Sequence, residues 1–474
     1  MKKGTKYLLI GLLAVLLIGA FFVVRSVVMS LPKEKNKAAD GTTLAAYSEY
    51  ELFADVPVLT GADVRYENAK DDGGNTYGIN VYGTTIEEYR AYLQVLEENS
   101  FTKYTDNGVD GVGGCVYKAY YRKGDLRVAV THFTRLNRTM ISAAEKGAWS
   151  EHLLYSDDYV ADNVPGAKTT MYQEELYNVG MSFVIQLKNG HFIINDGGWE
   201  NDLPYLLDDL EKLTPEGEKP VIEAWFISHA HDDHMGIFKA LFTNKEQLDR
   251  IYVENVYFND MGADAAKFHD QFETASALLN YVRGVPAVMH STDGGHPGIY
   301  ELSVGDRYYF NDFNVEVVCS AEVLADYTTW GDQNGTSTWL MYNIEGQKVL
   351  ISADGNFEDQ QAVMAIYDRS YLNLTMFSTP HHGYDMFDQF TDYLDSLQTL
   401  LYTNPLKWLA GSGIESGSST HTPMLEHINE ISQESYAFGE GTVVYEFPYE
   451  VGTATVLPER EWIYNVTAPS WKWD

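Results

Sequence analysis

Three histidines and two aspartates fall within the six positions His229-Ala-His-Asp-Asp-His234, directly behind an apolar run, and this feature constrains the fold more than any other. The preceding Val221–Ser228 has the β-branched and aromatic content of a buried strand, and Met235–Leu241 has the spacing of the first turns of a helix. The pattern His-x-His-x-Asp-His therefore falls on a strand-to-helix loop. On a tight loop, alternate residues can face different sides of one cavity. His229 and His231 can then serve one cation, and Asp233 with His234 a second. Imidazole nitrogens and carboxylate oxygens are ligands that suit zinc, iron or manganese. A polar surface loop whose histidines cap a helix is the competing reading, and four ligand-type residues in this pattern weigh against it.

The motif resembles the signature of the metallo-β-lactamase superfamily, whose members share a fold and hydrolyse many kinds of bond. The resemblance implies an α/β fold, an αββα sandwich with helices on both outer faces. Strand and loop alternate through the chain in keeping with this. Gly180–Leu187 and His191–Gly198 read as two strands about an Asn-Gly turn, and Thr338–Asn343 and Lys348–Gly355 as another pair. Helices are expected at Leu203–Leu213, Phe268–Tyr281, Glu358–Tyr367 and Thr422–Glu434.

The chain of 474 residues is too long for one ordinary core. Tyr7–Val24 is uncharged and apolar, bracketed by Lys6 and Arg25, and as a helix would cover about 27 Å, close to the hydrocarbon thickness of a bilayer. Residues 1–30 are thus expected to form an N-terminal membrane anchor. Its preceding lysines leave the N-terminus cytoplasmic and the remainder extracytoplasmic. A cleaved secretion signal is the alternative, but no convincing small-x-small site follows the segment. Residues 31–45 read as a polar linker. Residues 46–160 read as a small α+β accessory domain. It has a strand at Gly78–Gly83, a helix capped by Thr85, and a hairpin joining Tyr117–Tyr121 to Leu126–His132 through a Gly-Asp turn. No motif in it carries chemistry, and His132 is expected to be a packed or surface histidine rather than a ligand. Residues 161–456 would be the hydrolase domain and 457–474 a C-terminal tail. Two cysteines, Cys115 and Cys319, exclude a disulfide framework and are expected to be buried packing residues. The formal charge of −35, with no acid in residues 1–30, argues against long nucleic acids as partners.

Further residues complete the constellation. Asp354 closes the strand Ile351-Ser-Ala-Asp-Gly355, where its two carboxylate oxygens could bridge two cations about 3.5–4 Å apart. The family resemblance assigns it that bridging role. His381 and His382 lie at a strand end in Pro380-His-His-Gly383. One is expected to complete the Asp233/His234 site and the other to contact substrate or donate a proton, and the sequence does not say which. Asp196, ending the first hairpin, is expected to orient a ligand histidine. The elements Asn334-Gly-Thr-Ser-Thr338, Ser352-Ala-Asp-Gly355 and Pro380-His-His-Gly383 resemble the branch holding the hydrolase domain of bacterial DNA-uptake channels and the teichoic-acid phosphorylcholine esterases. His421, before Thr422-Pro423, is then a candidate substrate contact. One departure stands out: many members carry a further histidine before the bridging aspartate, and Ala321–Ser337 contains none. Asp326, Asp332, Asn334 or water would have to substitute, while His290 and His296 read as loop residues.

The resulting expectation is a membrane-anchored extracytoplasmic hydrolase in bacteria. It would use two divalent cations, with zinc favoured over manganese or iron, to bring a bridging water toward neutral pKa. A phosphoester, as a small molecule or a cell-wall substituent, is the first substrate choice. A lactone or amide hydrolase of the same fold and a catalytically inactive surface binding module are the alternatives. A diiron oxidoreductase lacks a recognisable flavin-binding partner domain.

Overall fold

A computed structural model describes residues 51–60, 65–71, 76–150, 163–259, 291–292, 295, 297–310, 313–323, 333–384, 386–403, 427–437 and 441–462. Residues Ala46–Asp474 form one compact unit. The expected membrane span at residues 7–24 and the expected helix at 268–281 lie outside the described residues. Among those described, no helix is long and apolar enough to cross a membrane.

Six antiparallel strands make the first sheet: β1 (Arg65–Asp71), β2 (Thr76–Tyr82), β3 (Thr102–Asp106), β4 (Val116–Lys123), β5 (Leu126–Phe133) and β6 (Arg138–Glu145), in the order β1-β2-β6-β5-β4-β3. Helix α1 (Ile86–Glu98) begins at Thr85. The Thr85 hydroxyl accepts from the Glu88 backbone N–H while the Glu88 carboxylate accepts from that of Thr85, a reciprocal cap worth about 1 kcal/mol. Tyr89, Tyr92 and Leu96 of α1 cover one face of the sheet, against Val128, Val130 and Ile141. His132 is buried on that face, stacked on Tyr89, and burial pushes its imidazole pKa down to about 4.

Two further sheets lie face to face. One contains β7 (Thr170–Gln173), β8 (Ser182–Gln186), β9 (Phe192–Asp196), β10 (Val221–Ile227), β11 (Tyr252–Val253), β12 (Asn255–Phe258) and β13 (Gly298–Tyr300). The other contains β14 (Arg307–Phe310), β15 (Phe313–Cys319), β16 (Trp339–Ile344), β17 (Gln347–Ile351), β18 (Asn373–Ser378), β19 (Ser396–Tyr402) and β20 (Glu434–Ala437) in sequential order. The first is completed by β21 (Val443–Glu446), which pairs with β7, and β22 (Thr455–Val456). Strand β10 shows why its sequence is apolar on both faces from Ala224 onward. Ala224 and Phe226 enter the core between the sheets, whereas Trp225 and Ile227 face α2 (Leu203–Leu213) and α3 (Asp232–Thr243) on the other side. The opposite outer face, on β15–β19, is covered by α5 (Phe357–Ile366) and α6 (Asp388–Tyr393), after the short α4 (Lys245–Leu248) earlier in the chain. The result is helix, sheet, sheet, helix.

Three expectations need correction. The helix after the metal motif starts at Asp232 rather than Met235, so Asp233 and His234 occupy its first turn instead of the loop. Acidic side chains suit that position, where the helix dipole is positive. The expected helix Thr422–Glu434 is helical at residues 427–431, but Glu434 opens β20. Its carboxylate accepts from the Thr399 hydroxyl on the neighbouring strand, which ties it to the sheet. A further strand, β14, precedes β15 at Arg307–Phe310, where no element was expected.

The second face of the accessory sheet is occupied. Tyr120 and Ala129 join the inter-sheet core, while Val116, Phe133 and Met140 join the core beneath α5. The Lys118 ammonium lies 2.7 Å from the Asp306 carboxylate, both fully buried, and Tyr120 and Tyr308 donate to the same carboxylate. Cys115 and Cys319 are buried in that shared core. Removing one partner from a buried pair leaves an uncompensated charge. Lys118→Met is therefore expected to cost about 3–5 kcal/mol in denaturant unfolding. Lys118→Met with Asp306→Asn should recover most of that loss.

Candidate metal centre

Strand β10 delivers Ser228 and His229 to the edge of the sandwich, and α3 then carries Asp233 and His234 back into the same cavity. Asp354 comes from the loop after β17, and His381 and His382 from the turn after β18. Four residues at this edge, Asp196, Ala353, His381 and His382, hold positive φ (57°, 47°, 47° and 54°) without being glycine. Such conformations cost about 1–3 kcal/mol each and persist where surrounding contacts over-determine them. Here the His381 N–H donates to the Ala353 carbonyl, joining two of these turns. Gly355 leaves no choice of residue: a Cβ there would lie 2.0 Å from the Trp339 indole nitrogen.

The donor atoms fall into two groups around Asp354. His234 Nε2 and His382 Nε2 lie 3.0 and 3.3 Å from Asp354 Oδ1, and His382 Nε2 lies 3.1 Å from Asp233 Oδ2. On the other side, His229 Nε2 is 3.8 Å from Asp354 Oδ2 and 2.8 Å from His231 Nδ1. Each group, Asp233/His234/Asp354/His382 and His229/His231/Asp354, brings its donor atoms within 4.8 Å of one another. Asp354 Oδ1 is buried and accepts no hydrogen bond despite these close nitrogens. That orphaned atom, among imidazole nitrogens aimed at it, is what a cation-binding carboxylate looks like when described by protein atoms alone.

The hydrogen bonds behind the histidines explain why these nitrogens carry lone pairs. His234 Nδ1 lies 2.7 Å from Asp196 Oδ2, so a proton belongs on Nδ1 and Nε2 is the nitrogen that faces the cavity. Ser228 donates its hydroxyl to Asp196 Oδ2 and can only accept from His229 Nδ1, 3.0 Å away. The His382 Nδ1–H donates to the Thr403 carbonyl at 3.1 Å. One buried carboxylate, Asp196, thus sets the tautomers of His234 directly and His229 through Ser228. Neither Ser228 nor Thr403 was singled out from the sequence. A serine at a strand end and a threonine far from any motif carry no signal until the fold joins them to the histidines.

Electrostatics show how strongly the cluster calls for positive charge. Burial would depress the His234 imidazole, but Asp354, Asp233 and Asp196 together hold its pKa well above the usual range. Burial likewise opposes the ionised Asp354 carboxylate, while His234 and His382 hold its pKa well below the usual range. His229, with burial and then the neighbouring His234 and His231 acting on it, is pushed well down and stays neutral. Carboxylates at this depth need positive charge nearby, and the donor set is one that divalent cations fit.

His381 stands apart from both groups. Its Nε2 lies 4.0 Å from Asp354 Oδ2 and 3.1 Å from the Asn334 side-chain amide. Between the two histidines that the sequence left unresolved, His382 therefore joins the Asp233/His234 group. Asn334, one of the residues weighed as a substitute for the missing histidine, reaches the site by contacting His381. Asp326, Asp332, His290, His296 and the candidate substrate contact His421 lie outside the described residues.

No family model and no curated protein matches the chain. Among solved structures, zinc-bound PqqB from Methylobacterium extorquens is similar at 8% identity, covering 54% of this chain and 85% of that one, with a TM-score of 0.31. A metal-dependent hydrolase of the β-lactamase superfamily is similar at 10% identity, covering 61% of this chain and all of that one, with a TM-score of 0.32.

The relay through Asp196 can be tested without a substrate. Asp196→Asn should weaken divalent-metal affinity by about 10- to 100-fold, measured by competition with a chromogenic chelator, because loss of an outer partner frees the histidine tautomer. Unchanged affinity would show that Asp196 does not orient the donors.

Proposed function

We propose that this metallo-β-lactamase-type sandwich is a metal-dependent hydrolase with a dinuclear site, acting first of all on phosphoesters. The observation carrying the proposal is the division of Asp354, whose two oxygens face different donor groups. His229 and His231 with Asp354 Oδ2 would hold one cation, and Asp233, His234 and His382 with Asp354 Oδ1 the other. Imidazole and carboxylate donors fit zinc, with manganese or iron as substitutes. When bound, such a pair supplies Lewis acidity and lowers the pKa of water.

The chain's own residues supply the rest. Asp233, partly exposed to the cavity, is placed to accept a hydrogen bond from an attacking water and orient it. His381, outside both donor groups and hydrogen-bonded to Asn334, is placed to pass a proton to the leaving oxygen. The buried wall formed by Asp196, Ser228 and Thr403 keeps the donor nitrogens aimed inward without spending reorganisation at the moment of reaction. The phosphoester choice is supported by the Pro380-His-His-Gly383 resemblance, and the acidic charge of −35 favours a small or wall-borne ester over long nucleic acids. Anchoring through residues 7–24, with the enzyme on the outer side of the membrane, belongs to the same proposal on sequence grounds.

Metal analysis of the purified protein, paired with hydrolysis of a chromogenic phosphodiester, tests this directly. The parent should carry about two metals per chain and turn over the ester. His231→Ala and Asp354→Asn should each lower turnover by at least about 100-fold. Metal without phosphodiester turnover would redirect the substrate to lactones or amides. Absence of both, after metal supplementation, would contradict an enzyme and leave a binding module.

A further inference from the structure

The segment expected to be a tail is bound into the fold through its described residues, Arg460 above all. Arg460 donates from Nη2 to the Glu174 carboxylate, and the same nitrogen lies 2.7 Å from Asp209 Oδ2 and 3.0 Å from the Thr442 hydroxyl. Its backbone N–H donates to Glu175 Oε2 at 2.8 Å. Glu174 and Glu175 are both buried, at 3% and 1% exposure, which is an uncommon place for two consecutive carboxylates. Two residues on, Trp462 packs edge-on against Tyr177 and Tyr205, with ring centroids 5.5 and 4.8 Å apart.

The loop held in this way leads straight to the candidate metal centre. Tyr177 N–H donates to Asp202 Oδ1, and the Trp199 indole N–H donates to the Val179 carbonyl. Gly180 N–H then points to the Thr403 carbonyl at 3.4 Å, and Met181 N–H donates to the Asp233 carbonyl at 3.0 Å. The approach is so close that a Cβ on Gly180 would lie 2.8 Å from that Asp233 oxygen. Thr403 is also the partner of His382 Nδ1. The loop 174–181 therefore touches the backbone of one donor, Asp233, and the residue that orients another, His382.

We propose that Arg460 is a positioning residue for the cation site formed by Asp233, His234, Asp354 and His382. This rests on the dinuclear reading above. The Arg460 guanidinium offsets the charge of buried Glu174 and its backbone N–H binds Glu175, which keeps the loop seated, and the seated loop fixes Asp233 and Thr403. The loop's hydrogen bonds reach Asp233 and Thr403, on the His382 side of Asp354. The effect is therefore expected at that site.

The test is a zinc titration of metal-stripped full-length protein against a chromogenic chelator. Arg460→Met should weaken one of two binding events by about 10- to 100-fold, as loss of an outer support does. The weakened event should be the one that Asp233→Asn also weakens. Arg460→Met should add nothing further in the Asp233→Asn background. Neutralising the stranded carboxylates, as Arg460→Met/Glu174→Gln/Glu175→Gln, should restore affinity to within about threefold of the parent. If Arg460→Met does not fold, Arg460→Lys serves, with the same site-selective loss expected at smaller size because a lysine cannot reproduce the forked contacts. Unchanged zinc affinity in the variant, or equal weakening of both events, would overturn the proposal. A parent protein that binds no zinc would overturn the dinuclear reading itself, and is distinguished by appearing before any variant is made.

Discussion

The arrangement around Asp354 depends on one electrostatic constraint: several carboxylates and imidazoles share a largely buried cavity. Asp196 and Asp354 are fully buried, and Asp233 opens only partly to the cavity. An isolated carboxylate at that depth would take up a proton rather than stay charged. The surrounding histidines reverse the tendency for Asp354, and the carboxylates in turn hold His234 protonated when nothing else supplies positive charge. The cluster thus suits a cation by charge balance as well as by donor type. Its backbone adds to the evidence, since non-glycine residues in left-handed conformations gather at the turns that carry the donors.

Around this centre the fold acts as a set of supports. The inter-sheet core fixes β9, β10 and β17, whose ends deliver Asp196, His229 and Asp354. Asp196 then sets two histidine tautomers, and Thr403 sets a third. The accessory sheet, with one face buried against α1 and the other against the sandwich, stiffens the side beneath α5, where Lys118 reaches Asp306. Arg460 plays a comparable part at the loop beneath Asp233. Buried ion pairs add little net stability against apolar replacements, so their value in this chain lies in fixing geometry.

Much of this was legible in the sequence where local chemistry and period agree. The apolar run of β10 and the His-x-His-x-Asp-His pattern marked the donor loop, and the Thr85 cap with the spacing behind it marked α1. Asp354, followed by a glycine at a strand end, was also visible. What the sequence left open depended on contacts between distant segments. That His382 rather than His381 lies within the Asp233/His234/Asp354 group depends on a turn at positive φ, which no local pattern encodes. The early start of α3 reflects acidic residues at a helix N-terminus, a signal the metal motif itself masked. The end of the helix before Glu434 reflects pairing of β20 with β19, a tertiary effect that overrides helical spacing. Arg460 lay in a segment with no pattern, and its role appears only against Glu174 and Glu175, nearly three hundred residues earlier.

The central claim is that Asp354 divides its two oxygens between two cations. Anomalous diffraction from crystals of the zinc-loaded protein tests it most directly. The account predicts two anomalous peaks about 3.5–4 Å apart, one beside His229 and His231 and the other beside Asp233, His234 and His382, with Asp354 between them. A single peak bound by one oxygen of Asp354, or peaks away from this cluster, would contradict it.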